Sequence, residues 1–188
     1  MTMKRWISSL LAAALCLSLL IAPAGAYTRV DTTKPVSLTL TYQYEEAAVK
    51  GLEISLYKVY DMSDAVRFTA TSDFASLKGF DSKLASWTGQ DGQVDWKKMA
   101  TTLESLLRAD GETPVAAPLL TGTTDENGVV KFESTDAVEM TAGLYLVMGE
   151  TLVSGSTTYT PQTFLLTLPY LENDAWIYDL AAYGKLSV

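Results

Sequence analysis

The 188-residue sequence contains no histidine, and its single cysteine, Cys16, lies near the N-terminus. Histidine and cysteine supply most catalytic bases, reactive nucleophiles and zinc ligands. No serine stands in a Gly-x-Ser-x-Gly pattern, the setting of the nucleophile in α/β-hydrolases. An acid-based hydrolase would need two carboxylates facing each other across a cleft, and Glu45 and Glu46, adjacent in one turn, do not supply them. We expect a protein that is not an enzyme and that needs no metal and no cofactor.

The N-terminal segment has the three parts of an export signal. Residues 4–5 are basic, residues 7–21 are almost continuously apolar, and residues 24–26 read Ala-Gly-Ala, a small-residue cleavage site. The apolar run is shorter than the roughly 20 residues of a membrane span. We therefore predict a signal peptide over residues 1–26. Its removal would take Cys16 and exclude both disulfides and thioester chemistry from the exported chain.

The charge balance limits the partners of the protein. Acidic residues outnumber basic residues by 22 to 14, and cleavage of the signal peptide would remove two of the basic ones. An acidic surface is repelled by phosphate backbones and by anionic membranes. We expect no nucleic acid partner, no membrane span after signal cleavage, and a location at the cell wall or surface or in the secreted fraction.

The first half of the exported chain alternates like a sheet. Residues 27–35 are polar and predict an entry loop. Residues 36–44 place Val, Leu, Leu, Tyr and Tyr on one face and polar residues on the other, which predicts a half-buried strand. Residues 52–60 alternate in the same way. Because the connection between them is short, the two strands are predicted to form an antiparallel hairpin.

The second half adds further strands. Asn127-Gly128, between residues 121–124 and 129–132, predicts a hairpin closed by a type I′ turn. Residues 143–148 are a continuous apolar run and predict a central strand. Segments 164–169 and 176 onward continue the series. Several strands separated by turn residues favour a β-sandwich, which we expect to form a single domain over residues 36–188.

Residues 61–120 interrupt the β-pattern and are predicted to be an insertion. Asp95 can cap a helix that extends over about residues 95–108, and Gly111 would end it. The helix has one apolar face, formed by Trp96, Met99, Leu103, Leu106 and Leu107. We expect this face to pack on the sandwich, and a ligand groove is the alternative interpretation.

The last strand carries a specific pattern, Trp-Ile-Tyr-Asp-Leu-Ala-Ala-Tyr-Gly-Lys. It resembles the pilin motif of Gram-positive covalent pili, Trp-x-x-x-Val-x-Val-Tyr-Pro-Lys, with Trp176, Tyr183 and Lys185 at the matching offsets. Three residues differ from the motif, namely Leu180 and Ala182 in place of the valines and Gly184 in place of the proline.

Other segments follow the order found in the prealbumin-like, collagen-adhesin B-type domains of Gram-positive surface proteins. Residues 51–59 resemble the opening hairpin of those domains. Thr-Asp-Glu-Asn-Gly, Gly-Leu-Tyr-Leu-Val, Tyr-Thr-Pro and Trp-Ile-Tyr-Asp come after it in the same order. The resemblance covers most of residues 36–185. It implies a mainly β fold, an Ig-like or prealbumin-like antiparallel β-sandwich with one inserted α-helix, similar to the N-terminal domain of a sortase-assembled pilin.

In that family the motif lysine accepts the intersubunit isopeptide bond that a sortase makes. The resemblance therefore implies that Lys185 is the sortase acceptor, that Trp176 and Tyr183 fix its strand, and that sortase and other pilin subunits are the partners. From the ten residues alone, a solvated charge is the alternative interpretation of Lys185. The sequence contains no Leu-Pro-x-Thr-Gly sorting signal, so we expect either the N-terminal part of a longer pilin or a stand-alone secreted domain.

Domains of this family often contain an internal bond between a lysine and an asparagine beside a carboxyl group in an apolar setting. Glu150 resembles that acid. The first strand has no lysine and the last strand no asparagine, while Asn127 and Asn173 fall in predicted turns. We predict that no internal isopeptide bond forms. Lys50 and Lys58, which flank the second strand, are predicted to be solvated edge charges.

A second function stays open from the sequence. The insertion over residues 61–120 contains Trp87 and Trp96, and long loops on β-sandwiches often carry binding surfaces. The alternative is therefore a secreted adhesin or recognition module that binds a host extracellular protein or glycan. Exposure of the two tryptophans tests this alternative, because a binding surface requires at least one of them to reach solvent.

Overall fold

The computed structural model describes residues 29–89, 91–108 and 115–188, and both the predicted signal peptide (residues 1–26) and Gly111 lie outside them. Two β-sheets pack face to face, and a helix covers the outer face of one sheet. The predicted fold class, a mainly β sandwich with an inserted helix, is confirmed. Within the described residues, no helix has the length and apolar character needed to cross a membrane.

Sheet I is built around β1 (Ser37–Tyr44). On one edge β1 pairs in parallel with β13 (Asp179–Gly184), and on the other it pairs antiparallel with β6 (Val129–Phe132) and with the two-residue β2 (Ala47–Ala48). The parallel pair is a departure from the antiparallel sandwich expected from the sequence. Its consequence is that the C-terminal ends of β1 and β13 lie side by side.

Sheet II is built around β3 (Glu53–Met62). β7 (Gly143–Gly149) lies between β3 and β10 (Phe164–Leu168), which confirms the central strand predicted from the apolar run. The far edge of β3 is shared by β5 (Leu120–Thr123) and β4 (Phe68–Ala70).

Smaller pairings complete the sandwich. β8 (Leu152–Ser154) and β9 (Thr157–Pro161) form a hairpin, and the terminal β14 (Leu186–Ser187) pairs with β9. β11 (Tyr170–Glu172) and β12 (Ala175–Ile177) form a second hairpin immediately before β13. The last strand predicted from residue 176 is therefore broken into three short pieces.

The main core lies between the two sheets. It consists of fully buried apolar side chains from both inner faces, among them Leu38, Leu40, Tyr42, Ile54, Leu56, Phe132, Tyr145 and Val147. These are the inward positions of the alternating strands, so the period of two read from the sequence sets which side chains are buried.

A second core lies on the outer face of sheet II. β3 and β7 present Tyr57, Val59, Leu144, Leu146 and Met148 there, and the inserted segment covers them. That segment contains α1 (Ser72–Ala75), a 3₁₀ turn (Leu84–Trp87) and α2 (Trp96–Leu107). Because sheet II is covered on both faces, its central strands have few solvent-facing positions.

Helix α2 agrees closely with its prediction. The Asp95 side chain accepts a hydrogen bond from the Lys98 backbone N–H at 2.9 Å, which is the expected N-cap. Met99, Leu103 and Leu107 are buried against sheet II, as the apolar face predicted. Trp96, predicted to lie on that face, is instead 43% exposed and lines an open groove.

The predicted hairpin between residues 36–44 and 52–60 is wrong. β1 and β3 belong to different sheets and face each other across the core, and the hairpin partner of β1 is β2. Alternation shows which face of a strand is buried but not which strand lies beside it. Two strands that face each other across a sandwich therefore have the same pattern as two strands that pair.

The Asn127-Gly128 turn also differs from its prediction. Gly128 has φ +72°, while Asn127 does not have a positive φ, so the turn is not type I′. The Asp125 carboxylate accepts hydrogen bonds from the Asn127 and Val129 backbone N–H groups at 2.8 and 2.9 Å. The turn carries the chain from β5 in sheet II to β6 in sheet I, which an ordinary two-residue hairpin cannot do.

Glu45 and Glu46 join β1 to β2 with φ values of +48° and +67°. Positive φ is costly for residues with a Cβ, and Asn-Gly is the preferred pair at such a turn. We expect the double substitution Glu45→Asn/Glu46→Gly to raise the free energy of unfolding by about 1 to 2 kcal/mol, measured by urea titration. Glu45→Gln/Glu46→Gln removes the same charges but keeps the strain, and an equal gain there would assign the effect to charge.

Candidate functional site beside Lys185

The last two strands place alternate side chains on opposite faces. Leu180, Ala182 and Leu186 pack against the main core. Tyr183, Lys185 and Ser187 face the other way, toward an open groove. The alternation of a strand therefore sets the direction of Lys185.

The groove has a volume of about 700 Å³ and lies between α2 and the segment that joins β9 to β10. One wall is formed by Trp96, Ala100 and Glu104 of α2, and the other by Thr160, Gln162, Phe164 and Leu165 together with Lys185. Trp96 and Tyr183 are exposed aromatic side chains, and Tyr183 is 74% exposed. The groove therefore combines aromatic surface with amine, carboxylate and amide groups.

The backbone at Lys185 is held in place while its side chain is exposed. The Gln162 backbone N–H donates to the Lys185 carbonyl oxygen at 2.9 Å. On one side of Lys185, β13 is paired with β1, and on the other side β14 is paired with β9. The amine is thus carried by a fixed backbone and reaches solvent at the groove.

Packing explains the glycine at position 184, where the motif has proline. Gly184 faces the core directly over the ring of Tyr42, its partner in the β1–β13 register. A Cβ at position 184 would lie closer than 3.0 Å to three ring atoms of Tyr42. Tyr42 is fully buried, and burial raises the pKa of its phenol far above the usual range. The alternation of residues 36–44 does not single out Tyr42 among the inward side chains, although a glycine at a core-facing strand position is a signal of such a close approach.

Trp176 and Tyr183, the other two motif residues, lie in different surroundings. Trp176 is half-buried in β12 and packs against the small cluster of Val30, Met62 and Ala142, at the far end of β13 from Lys185. Tyr183 is next to Gly184 and lies on the groove. That Trp176 and Tyr183 fix the strand stays a prediction; Leu180 and Ala182 of β13 pack against the core, and Tyr183 is exposed beside Lys185.

Glu150, the carboxylate proposed from the resemblance, does not lie in an apolar setting. Its side chain is 51% exposed, and its Oε1 accepts a hydrogen bond from the Arg108 guanidinium at 2.7 Å. This hydrogen bond raises the pKa of Arg108. Asn127 and Asn173 are both exposed in turns. The structure therefore does not bring an asparagine into a buried position beside Glu150.

Lys58 was predicted to be a solvated edge charge, and this is wrong. Its side chain is only 12% exposed, and Nζ lies 2.6 Å from Asp61 Oδ1 and donates to Thr141 Oγ1 at 2.6 Å. The reason is that β3 is an interior strand with neighbours on both edges, so Lys58 crosses Gly143 of β7 to reach its partners. Lys50 is 65% exposed and pairs with Glu126, as expected for an edge charge.

The expectation that no internal isopeptide bond forms leads to a mass prediction. A chain of residues 27–188 should have the mass of its unmodified residues, because Lys58 contacts Asp61 and Thr141 and the described asparagines are exposed. Intact-mass spectrometry of protein purified from a culture supernatant measures this directly. The Lys58→Met variant is the control. A deficit of one ammonia in the wild type that disappears in this variant would contradict the prediction.

Over residues 29–89, 91–108 and 115–188, no group of three or more carboxylate, histidine or cysteine side chains is arranged to hold a metal ion. Glu104 is the acidic residue in the groove lining, and its Oε1 lies 3.8 Å from Nε of Arg108. What the groove offers chemically is two lysine amines, Lys97 on α2 and Lys185 at the end of a strand, with an aromatic and polar surface beside them.

The fold is a mainly β sandwich, and the solved structures similar to this chain include pilins of Gram-positive bacteria. The major pilin SpaD from Corynebacterium diphtheriae is 19% identical over 85% of this chain, with a TM-score of 0.46. The shaft pilin SpaA from Lactobacillus rhamnosus GG is 19% identical over 81% of the chain (TM-score 0.40), and the basal pilin SpaB from the same organism is 12% identical over 83% (TM-score 0.46).

The length of these proteins differs from that of the present chain. The match spans 31% of SpaD, 49% of SpaA and 99% of SpaB. Nothing among protein-family models or curated protein sequences matches this chain. At these identities the likeness concerns the fold, and the function has to be argued from the residues of this chain.

Proposed function

We propose that this protein is a structural cell-surface protein, a pilin-like subunit domain in which Lys185 is the acceptor for sortase-mediated polymerisation. The observation that carries the proposal is the presentation of Lys185. Its backbone is fixed between two paired strands, and its side chain faces an open groove at the end of the last long strand. The order of Trp176, Tyr183 and Lys185, which resembles the pilin motif, supports the same role.

The proposed chemistry requires only a nucleophile from this domain. The neutral Lys185 amine attacks the carbonyl carbon of an acyl-enzyme that sortase forms with the neighbouring subunit. A C–N bond forms, the bond to the enzyme nucleophile breaks, and that leaving group accepts the proton lost by the amine. The domain contributes an amine held in position on a rigid scaffold. Holding a reactant in the right orientation raises the rate of its attack.

The proposal is tested with the purified domain, a pilin-type sortase from the same host and a sorting-signal peptide. We expect one peptide to be added, and proteolytic mapping by mass spectrometry to locate it at Lys185. Lys97→Ala is the matched control, because Lys97 lines the same groove and should leave the transfer unchanged. Modification spread over several lysines, or none under conditions that label a known pilin, would contradict the acceptor role.

Export and surface location belong to the same proposal. The signal-peptide pattern of residues 1–26 supports export, and the partners we propose are sortase and other pilin subunits. Fractionation of host cells with an antibody against residues 29–188 tests this. The protein should be found in the cell-wall or secreted fraction, and retention in the cytoplasmic fraction would contradict it.

A second candidate function is a recognition module for a host protein or glycan. The observation that favours it is Trp96, which is 43% exposed and lines the groove, while Trp87 is half-buried. The measurement is the quenching of tryptophan fluorescence by acrylamide in the presence of host matrix proteins or glycans. A host protein or glycan that protects the fluorescence from quenching in Trp87→Phe but not in Trp96→Ala would support this function. If none of the host proteins or glycans protects the fluorescence, the result would oppose it.

A further inference from the structure

We propose that Tyr42 is the positioning residue for Lys185, because its ring takes the place of a side chain at position 184 and thereby fixes the register and the facing of the strand that carries the lysine. The packing relation stands on the structure by itself. Its consequence for polymerisation rests on the proposed function of Lys185.

The core-facing positions of the last strands show why the ring is decisive. Leu180, Ala182 and Leu186 each place a side chain in the core, while position 184 between them has none. The space that a side chain at 184 would occupy is filled by the Tyr42 ring, which comes from the neighbouring strand. Of the residues from 180 to 186, the glycine is therefore the one that fits over the ring.

A shift of one residue in the β1–β13 register would place Tyr183 or Lys185 over Tyr42 and turn every side chain of the strand to the opposite face. Both residues have a Cβ, and the ring leaves no room for one. The contact therefore excludes the alternative register in which the Lys185 side chain would point into the core. The same contact keeps Lys185 directed toward the groove.

Backbone hydrogen bonds hold Tyr42 in place beneath Gly184. The Tyr42 backbone N–H donates to the Gly128 carbonyl oxygen at 2.8 Å, and its carbonyl oxygen accepts from the Val49 N–H at 3.0 Å. Its hydroxyl has no hydrogen-bond partner within the part of the chain that the structure describes. The volume of the ring, rather than the hydroxyl, is therefore the property on which the positioning depends.

The test measures the rate of peptide transfer to residue 185 in the sortase assay. Tyr42→Phe keeps the ring and should stay within about twofold of wild type. Gly184→Ala displaces the strand end and should lower the rate by about 100-fold, the effect of misplacing a reacting group by about 1 Å. In the Tyr42→Ala background, where the ring is absent, Gly184→Ala should cost less than about threefold, because the methyl group has space.

Two outcomes would overturn the inference. One is an equal loss from Gly184→Ala in both backgrounds, which would show that the ring is not the obstacle. The other is a loss in Tyr42→Phe as large as that in Gly184→Ala, which would give the role to the hydroxyl. All variants are compared at a temperature at which thermal unfolding shows each to be folded, so that lost stability is separated from lost positioning.

A second readout needs no sortase. The Gly184 α-proton that takes the Cβ direction lies over the Tyr42 ring, so its NMR signal should be shifted upfield in the wild type and in Tyr42→Phe, and the shift should vanish in Tyr42→Ala. Absence of the shift in the wild type would refute the packing relation even if Lys185 accepts peptide. A normal shift with no transfer to Lys185 would refute the acceptor role and leave the packing relation in place.

Discussion

In cell-wall extracts of the native host, Lys185→Ala should replace a ladder of high-mass, boiling-resistant species by a single band near the mass of the monomer. The reason is chemical, because alanine offers no amine and the intersubunit bond then has no acceptor at this position. The measurement is an immunoblot after boiling in detergent, with wild type and variant expressed at equal levels.

The test requires that the Lys185→Ala variant stays folded, so that loss of the ladder reports loss of the amine. Lys185 is exposed, and it contributes no side-chain packing to the main core, so surface truncation should change stability by no more than about 0.5 kcal/mol. Lys97→Ala, on the opposite wall of the groove, should keep the ladder. A single band in both wild type and Lys185→Ala would contradict the acceptor role and favour the recognition module, while a ladder in both would place the linkage on another residue.

Thr124→Val should lower the free energy of unfolding by about 2 to 4 kcal/mol, although valine has nearly the same shape. The Thr124 side chain is 2% exposed. Its hydroxyl donates to the Val49 carbonyl oxygen at 2.7 Å and accepts from the Leu52 N–H at 2.9 Å. Valine makes neither hydrogen bond, so two buried backbone groups at the entry to β3 would be left without partners.

The effect is measured by urea denaturation, where the midpoint should fall while the slope stays constant. Thr123→Val is the matched control, because Thr123 is the adjacent residue at the end of β5 and is exposed. We expect the control to change the free energy of unfolding by less than about 0.5 kcal/mol. Equal losses in the two variants would show that the hydroxyl of Thr124 is not the cause.

Local patterns predicted most of the elements correctly. The strand over residues 36–44 is β1, the apolar run at 143–148 is the central β7, and the helix capped by Asp95 begins and ends within one residue of its expected bounds. Each of these depends on a short-range property, either the period of the apolar residues or a capping side chain. Such properties are the same before and after the chain packs.

The errors arose where partners had to be chosen over a distance. The predicted pairing of β1 with β3 and the predicted type I′ turn at Asn127-Gly128 both assumed that neighbours in sequence are neighbours in one sheet. In a sandwich, consecutive strands also cross from one sheet to the other. The same limitation made Lys58 look like an edge charge, because nothing in the sequence shows that β3 has neighbours on both edges.

By itself, the sequence determined the strands, the inserted helix, the acidic balance and the position of Lys185 at the end of the last strand pattern. The tertiary structure alone decided which residue holds that lysine in place. Tyr42 and Gly184 are 142 positions apart, and their contact exists because β1 and β13 pair in parallel with one particular register. Alternation sets the two faces of each strand, but only packing determines which ring fills the space beneath a glycine.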